Sequence, residues 1–290
     1  PEVVALAAFP SSPSLKETVD FVRGQFLAGH PEVLLDALPA DMLRMLDSEA
    51  FREAVRPSME QQAAMAQQVQ GVLMKAVEVL VTKKEYVLGS QMMMMAPPGS
   101  KPLIEQGYDP AVGIVYELVS IASNSDAMAN VPLSQIVRYY GPRIGGHLRQ
   151  LVAVAPPGLV DGFLDQITVE ESGTTGTVTI PSNTGPQAVP FTKYQDRWLP
   201  TDLVEEWETN KEDMLTKLLQ QQTAGADLSD PQVQQQAQMM AGMMVTMGNG
   251  ILDPMLAATS QQEFDQATMQ IMQMITMFGS QGAGAQDTGP

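Results

Sequence analysis

Apolar residues recur every three or four positions through the first half of the chain, which is the spacing of an amphipathic helix. Ser14 and Glu17 mark the start of the first helix, because this pair forms a capping box. Asp109 followed by Pro110 marks the start of another helix. The spacing predicts helical segments over 14–28, 31–46, 58–89, 109–121 and 133–154. This half of the chain is therefore predicted to be α-helical.

The period of the pattern changes to two after residue 163. The alternation predicts three antiparallel strands, over 163–170, 177–180 and 188–194. One face of this meander is apolar and carries Ile167, Val169, Val178, Ile180, Val189 and Phe191. Such a face needs cover, and the preceding helices supply it. Trp198 lies just past the last predicted strand, where its large ring can close the end of the core.

The last part of the chain has a different composition. From residue 218 to 290 there is no Lys or Arg, but there are 15 Gln and 10 Met. Asp230 with Pro231, and Ser260 with Glu263, mark the starts of two helices. These predict a Met-rich helical hairpin joined by residues 248–259.

The predicted fold class is α+β, predominantly α, with a helical body that covers a small three-stranded antiparallel sheet and a C-terminal Met-rich helical hairpin. The predicted organisation is an N-terminal tether over 1–13, a main domain over 14–223 with the meander at about 163–199, the hairpin over 224–279, and a disordered tail over 280–290.

Composition narrows the classes of function. The chain has 290 residues, a net charge of −17, 21 Met and no Cys. Such an acidic protein is repelled by nucleic-acid backbones and by anionic membrane surfaces, so neither is a predicted partner. The lack of Cys removes disulfides, thiolate metal sites and Cys nucleophiles together.

The location of the protein is predicted from three features. No run of 18 apolar residues occurs, so no membrane-spanning segment is predicted. The chain starts at Pro1 without an initiator Met, and a Ser/Pro-rich stretch follows. A removed signal peptide would explain this start, so we expect a secreted or periplasmic protein, with envelope anchoring through the removed N-terminus as one form of it. A cytosolic protein with a trimmed start is the alternative.

The methionines are the most unusual feature of the sequence. Met240, Met243, Met244 and Met247 share one helix face, and Met269, Met272 and Met277 lie on the next predicted helix. Flexible thioether side chains suit an adaptable docking surface for a protein partner. They also suit Cu(I). The simplest alternative is that the two Met faces pack on each other or on the main domain, since Met commonly fills gaps in protein cores.

No motif of a catalytic or cofactor site is present. His30 and His147 lie outside ligand spacing for zinc, and the glycine-rich segment around Gly145 lacks the order of a phosphate-binding loop. We therefore predict no catalytic residue, no cofactor and no metal site, and favour a protein that is not an enzyme. Trp198, Tyr139 and Tyr140 are the candidate lining of a pocket for a small molecule.

Two segments resemble a known family. The stretch FTKYQDRW (residues 191–198) resembles the closing strand of NTF2-like (cystatin-like) α+β proteins, and the opening helices ETVDFVRGQFLAGHPEVLLDALPADM are similar to theirs. Residues 14–222 as a whole also resemble uncharacterised bacterial envelope proteins. The second resemblance implies secretion and supplies no activity.

Three hypotheses of function follow. The leading one is a non-enzymatic bacterial envelope protein that acts in protein–protein interaction or assembly, with the hairpin as its docking arm or as a means of self-association. The second is an NTF2-like domain that binds or converts a small molecule between the sheet and the helices. The third is copper binding by Met240, Met243, Met244 and Met247.

Overall fold

The structure is a computed structural model that describes residues 6–94, 96–97, 99–124, 130–210 and 231–269. It is α+β and mostly helical, as predicted, with one antiparallel sheet. The helices are α1 (Leu15–Leu27), α2 (Val33–Asp36), α3 (Ala40–Leu46), α4 (Glu49–Thr82), α5 (Lys84–Gly89), α6 (Gln91–Met94), α7 (Lys101–Ser123), α8 (Leu133–Val154), α9 (Leu159–Leu164), α10 (Thr201–Asn210), α11 (Pro231–Ala257) and a segment over 261–269. The strands are β1 (Thr168–Ser172), β2 (Thr175–Ile180), β3 (Gln187–Tyr194) and β4 (Arg197–Pro200).

Contacts divide the chain into two compact units that alternate along the sequence. The first unit comprises residues 1–63 and 109–228, and the second comprises residues 64–108 and 229–290. Helices α4 and α7 each contribute residues to both units. The domain organisation predicted from the sequence includes residues 64–108 in the main domain, whereas the contacts group them with the C-terminal helices.

The sheet of the first unit has four strands, so the predicted three-stranded sheet was wrong. Its order is β1-β2-β3-β4, and every neighbouring pair is antiparallel. The missed strand, β4, has only four residues and contains Trp198. It follows β3 through the two-residue turn Gln195–Asp196, in which both residues have positive φ. Hairpin turns of this kind usually contain Gly, and neither residue here is Gly, so the alternation of apolar residues did not predict this turn.

Several helices and strands begin at residues other than the predicted ones. The capping box at Ser14 and Glu17 is confirmed. Helix α7 begins at Lys101 and not at Asp109, and Pro110 lies inside it. The first predicted strand also began too early, because residues 159–164 are helical and β1 starts at Thr168.

Two apolar clusters hold the first unit together. Leu15 of α1 packs with Val178 and Trp198 of the sheet. A neighbouring cluster comprises Met42, Leu199, Val204 and Trp207 and joins α3 and α10 to β4. Helices therefore cover the apolar face of the sheet, as binary patterning predicts.

The second unit is helical within the described residues. Its core comprises Val79, Met255, Ala258, Phe264 and Ala267. Helix α11 runs through the predicted connection at 248–259 as far as Ala257, so the break before the next helix is only three residues long. The close approach of Val72 to Gly248 explains why a glycine is tolerated inside this helix.

No helix in the described part of the chain is long and apolar enough to cross a membrane.

Candidate functional site

The first unit contains a cavity of about 550 Å³ between α1, α2 and the sheet. The capping box fixes the start of α1, and the helix then presents one apolar face to the cavity. The side chains that this face contributes to the lining include Val19, Val22, Phe26 and Leu27. Their spacing of three and four residues is what brings them to the same side of the helix.

The sheet forms the opposite wall. Val178 and Ile180 alternate along β2, so both side chains lie on the face that lines the cavity. Phe191 of β3 and Trp198 of β4 extend the same wall. The remaining lining residues are Thr18, Arg23, Leu34, Ala37, Leu38, Leu164, Ile167, Leu199, Pro200 and Leu203. All lining side chains except Thr18 and Arg23 are therefore apolar.

The cavity opens to solvent at a rim of large apolar side chains. Phe26 of α1 is 40% exposed and Leu34 of α2 is 53% exposed. Both would usually be buried, because exposing an apolar side chain costs free energy. Their position at the mouth leaves a path from solvent to the apolar interior.

Trp198 is held in the cavity wall by apolar packing of its ring and by a hydrogen bond from its indole N–H. The residue is 2% exposed, and its ring packs on Leu15 and Val178. The indole Nε1–H donates a hydrogen bond to the carbonyl oxygen of Pro13 at 3.0 Å. Thr18 is also satisfied, since its hydroxyl donates to the carbonyl oxygen of Ser14 at 3.0 Å. The walls thus offer a ligand almost no free hydrogen-bonding groups.

A second, polar recess of about 300 Å³ lies against the neighbouring face of α1. Four residues line both the recess and the cavity, namely Val19, Arg23, Leu164 and Ile167. The other residues of the recess are Lys16, Asp20, Asp165 and Val169. The ammonium group of Lys16 is paired with the Asp20 carboxylate four residues along the helix. Arg23 has no hydrogen-bond or ion-pair partner within the described chain, which leaves its guanidinium available to a ligand.

The other two members of the predicted pocket do not line this cavity. Tyr139 and Tyr140 lie on α8, where their rings contact edge to face at a centroid distance of 4.9 Å. The Arg143 guanidinium lies 4.2 Å from the centroid of the Tyr139 ring. Of the three predicted residues, only Trp198 reaches the cavity.

The predicted docking residues are in the second unit. Met243 and Met244 are exposed on α11, as is their neighbour Met239, and each is more than half exposed. Met247 is half-buried, and Met269 is exposed. The side chain of Met240, and the residues Met272 and Met277, lie outside the described part of the structure.

Sequence reasoning missed a buried polar pair beneath α8. His30 Nδ1 lies 2.9 Å from Glu32 Oε1, and both side chains are buried. The loop that carries them approaches α8 closely at Gly141 and Gly145. The glycine-rich segment of α8 is therefore a packing surface for this loop, and the spacing of its two glycines by one helical turn was the available signal.

Arg23 is the one ionisable side chain among the described residues that line the cavity. No carboxylate or imidazole lines the cavity in the part of the chain that the structure describes, so the cavity offers no acid–base pair.

No protein-family model matches the chain, and comparison with curated proteins and with solved structures found no match either. The geometry of the cavity is therefore the main ground for a function.

Proposed function

We propose that the first unit binds a small apolar molecule in the cavity between α1, α2 and the sheet. The observation that carries this proposal is a cavity of about 550 Å³ with almost wholly apolar walls. Ligand sites in proteins typically have volumes of roughly 300–1,000 Å³ and apolar linings. The hypothesis of an NTF2-like domain that binds a small molecule between the sheet and the helices is part of the same proposal.

Packing supports this function over a purely structural role. Protein interiors are close-packed, and voids much larger than a water molecule are few. An apolar void also costs free energy, because the side chains around it lose contacts that packing would supply. Leu38 and Leu164 are among the apolar side chains that line this cavity. A ligand that occupies the cavity would recover these contacts.

The test is binding of 1-N-phenylnaphthylamine, an apolar dye whose fluorescence rises in a water-free site. We expect the full chain to bind the dye and Ala37→Trp to weaken binding at least tenfold, because Ala37 lines the cavity and an indole there occupies its volume. Ala153→Trp is the matched control, since Ala153 is exposed on α8 and away from the cavity. Absence of dye binding, or equal affinity in both variants, would contradict the proposal.

A second candidate function is self-association through the exposed methionines of the second unit. Met239, Met243 and Met244 are uncharged, adaptable and exposed. A second copy of the chain presents the same face, so a two-fold axis would pair thioether with thioether. The protein interaction that we propose is therefore the association of two copies of this chain.

Light scattering on the eluting full chain tests self-association. We expect a dimer that becomes a monomer when Met239, Met243 and Met244 are all replaced by Gln. Leu159→Gln, an equally exposed apolar residue of the first unit, should leave the dimer intact. A full chain that is monomeric at high concentration would rule out this function.

We propose the bacterial envelope as the location. The resemblance of residues 14–222 to envelope proteins supports this proposal, and the lack of Cys is compatible with it. Fractionation of the native host tests it, and recovery of the protein solely with the cytosol would refute it.

A further inference from the structure

We propose that the ligand is an amphiphile with an apolar chain and a single anionic head group, and that Arg23 binds the head group. This inference rests on the proposed function, because it places the apolar chain in the cavity of the first unit. It adds the chemical class of the ligand and the residue that selects it.

The geometry places a polar site directly beside the apolar one. Residues Val19 and Arg23 are one helical turn apart on α1, and both line the cavity and the recess. Leu164 and Ile167 line both spaces from the other side. A molecule whose chain lies in the cavity can therefore place its head group in the recess without crossing a barrier of buried backbone.

The charges of the recess favour an anion at Arg23. Lys16 and Asp20 neutralise each other as an ion pair. Arg23 is half-buried and has no partner among the described residues, although guanidinium groups beside apolar surface usually pair with an acceptor. A carboxylate would accept two parallel hydrogen bonds from the guanidinium.

The same charges limit the head group to one negative charge. Asp165 is the other carboxylate of the recess, and it is exposed and not paired with Arg23. Because Asp20 is already paired with Lys16, Asp165 is the carboxylate that opposes a second negative charge in the recess. The net charge of −17 on the whole chain acts in the same direction at long range. A long-chain carboxylate therefore fits better than a dianionic phosphate monoester.

The experiment compares three ligands with the same twelve-carbon chain, each displacing the dye from the full chain at pH 8. We expect dodecanoate to bind about tenfold or more tightly than dodecanol, because the carboxylate gains charge-assisted hydrogen bonds. We expect dodecyl phosphate, which is a dianion at this pH, to bind more weakly than dodecanoate.

Variants assign the preference to Arg23. Arg23→Gln should remove the preference, so that dodecanoate binds no more tightly than dodecanol. Arg23→Lys keeps the charge and should keep part of the preference. Arg44→Gln is the matched control, because Arg44 is exposed on α3 and donates to the carbonyl oxygen of Ala40.

The outcomes separate this inference from the proposed function. Equal affinities of the wild-type chain for dodecanoate and dodecanol would overturn the inference and leave apolar binding intact. A preference for dodecanoate that survives in Arg23→Gln, or tighter binding of dodecyl phosphate, would also overturn it. Failure of the wild-type chain to bind the dye and all three ligands would overturn both.

Discussion

Trp198 and Pro13 are joined by a hydrogen bond of 3.0 Å across 185 residues of sequence. The indole Nε1–H donates and the Pro13 carbonyl oxygen accepts, both in a buried setting. Arg197 makes a parallel contact, since its Nη1 donates to the carbonyl oxygen of Pro10 at 2.8 Å. The segment before α1, predicted from sequence as part of a tether, is thus held against β4.

The first prediction concerns this hydrogen bond. Trp198→Phe should destabilise the protein by about 2–4 kcal/mol, because it leaves the Pro13 carbonyl without its buried donor and enlarges the cavity. Trp207→Phe is the control, since the Trp207 Nε1–H is buried and has no acceptor among the described residues. Urea denaturation measures both free energies of unfolding. Equal losses in the two variants would contradict the role of the hydrogen bond.

The second prediction compares two adjacent glycines of α8. A Cβ added at Gly145 would overlap the backbone carbonyl of Gly29, whereas one at Gly146 meets no atom within 4 Å. Gly145→Ala should therefore destabilise by about 1–3 kcal/mol, as overpacking does. Gly146→Ala should stabilise by up to about 1 kcal/mol, because Ala is the better helix former. Thermal unfolding checks the opposite signs, and the same sign for both would refute the close approach of loop and helix.

Gly29 explains why that approach cannot be relieved by a shift of the loop. Its φ of 94° lies in the left-handed region, which closes α1 and turns the chain towards His30. The backbone at this position is fixed by the turn, so a methyl group at Gly145 has no room to enter.

The third prediction concerns pH. Partial burial raises the pKa of Asp41, but hydrogen bonds from the Tyr194 hydroxyl, the backbone N–H of Met42 and the Gln195 amide outweigh it and hold the pKa below its ordinary value of 3.8. Stability from this group is thus complete above pH 3.8 and is lost as pH falls through the lower folded value. Tyr194→Phe should raise the pKa of Asp41, because one of these donors is removed.

Carboxyl NMR titration measures that shift directly. Acid unfolding of Tyr194→Phe should also begin at a higher pH than in the wild-type chain. Tyr139→Phe is the matched control, since Tyr139 lies on α8 and donates no hydrogen bond to Asp41. An unchanged Asp41 titration in Tyr194→Phe would show that the other two donors suffice.

The fourth prediction concerns the core of the second unit. Phe264 is 1% exposed and packs with Val79 and Met255, and its ring contacts Tyr86 at a centroid distance of 5.8 Å. Phe264→Ala should cost about 3–5 kcal/mol of stability. Met269→Ala, at an exposed position on the same helix, should cost far less. Similar losses in urea denaturation would show that 261–269 does not pack as described.

Local patterns predicted the local features well. The capping box of α1 and the apolar face of that helix follow from residues within one or two turns of each other. The alternation of Val178 and Ile180 likewise placed them on one sheet face. Trp198 was assigned to the end of the core for its large ring and its position just past the last predicted strand, and the structure buries it.

Local sequence patterns could not predict features that depend on contacts between residues far apart in the chain. Strand β4 is short, and the two residues of its turn, Gln195 and Asp196, make hydrogen bonds to the distant side chains of Asp41 and Ser12. The cavity arises because α2 and the sheet leave space between them, which no periodicity reveals. Whether Arg23 has a partner among the described residues likewise depends on which carboxylates the fold brings near it.

The alternation of the two units along the chain sets an order for folding during synthesis. Residues 64–108 leave the ribosome early, but Met255 and Phe264, which complete their core, follow about 150 residues later. The first unit is finished once β4 and α10 have emerged, so it can fold while the second is still incomplete. Val79 and Tyr86 therefore remain uncovered in the nascent chain after the cavity of the first unit has formed. Slow translation of the Met-rich segment would lengthen the period in which the new protein is open to aggregation and in need of a chaperone.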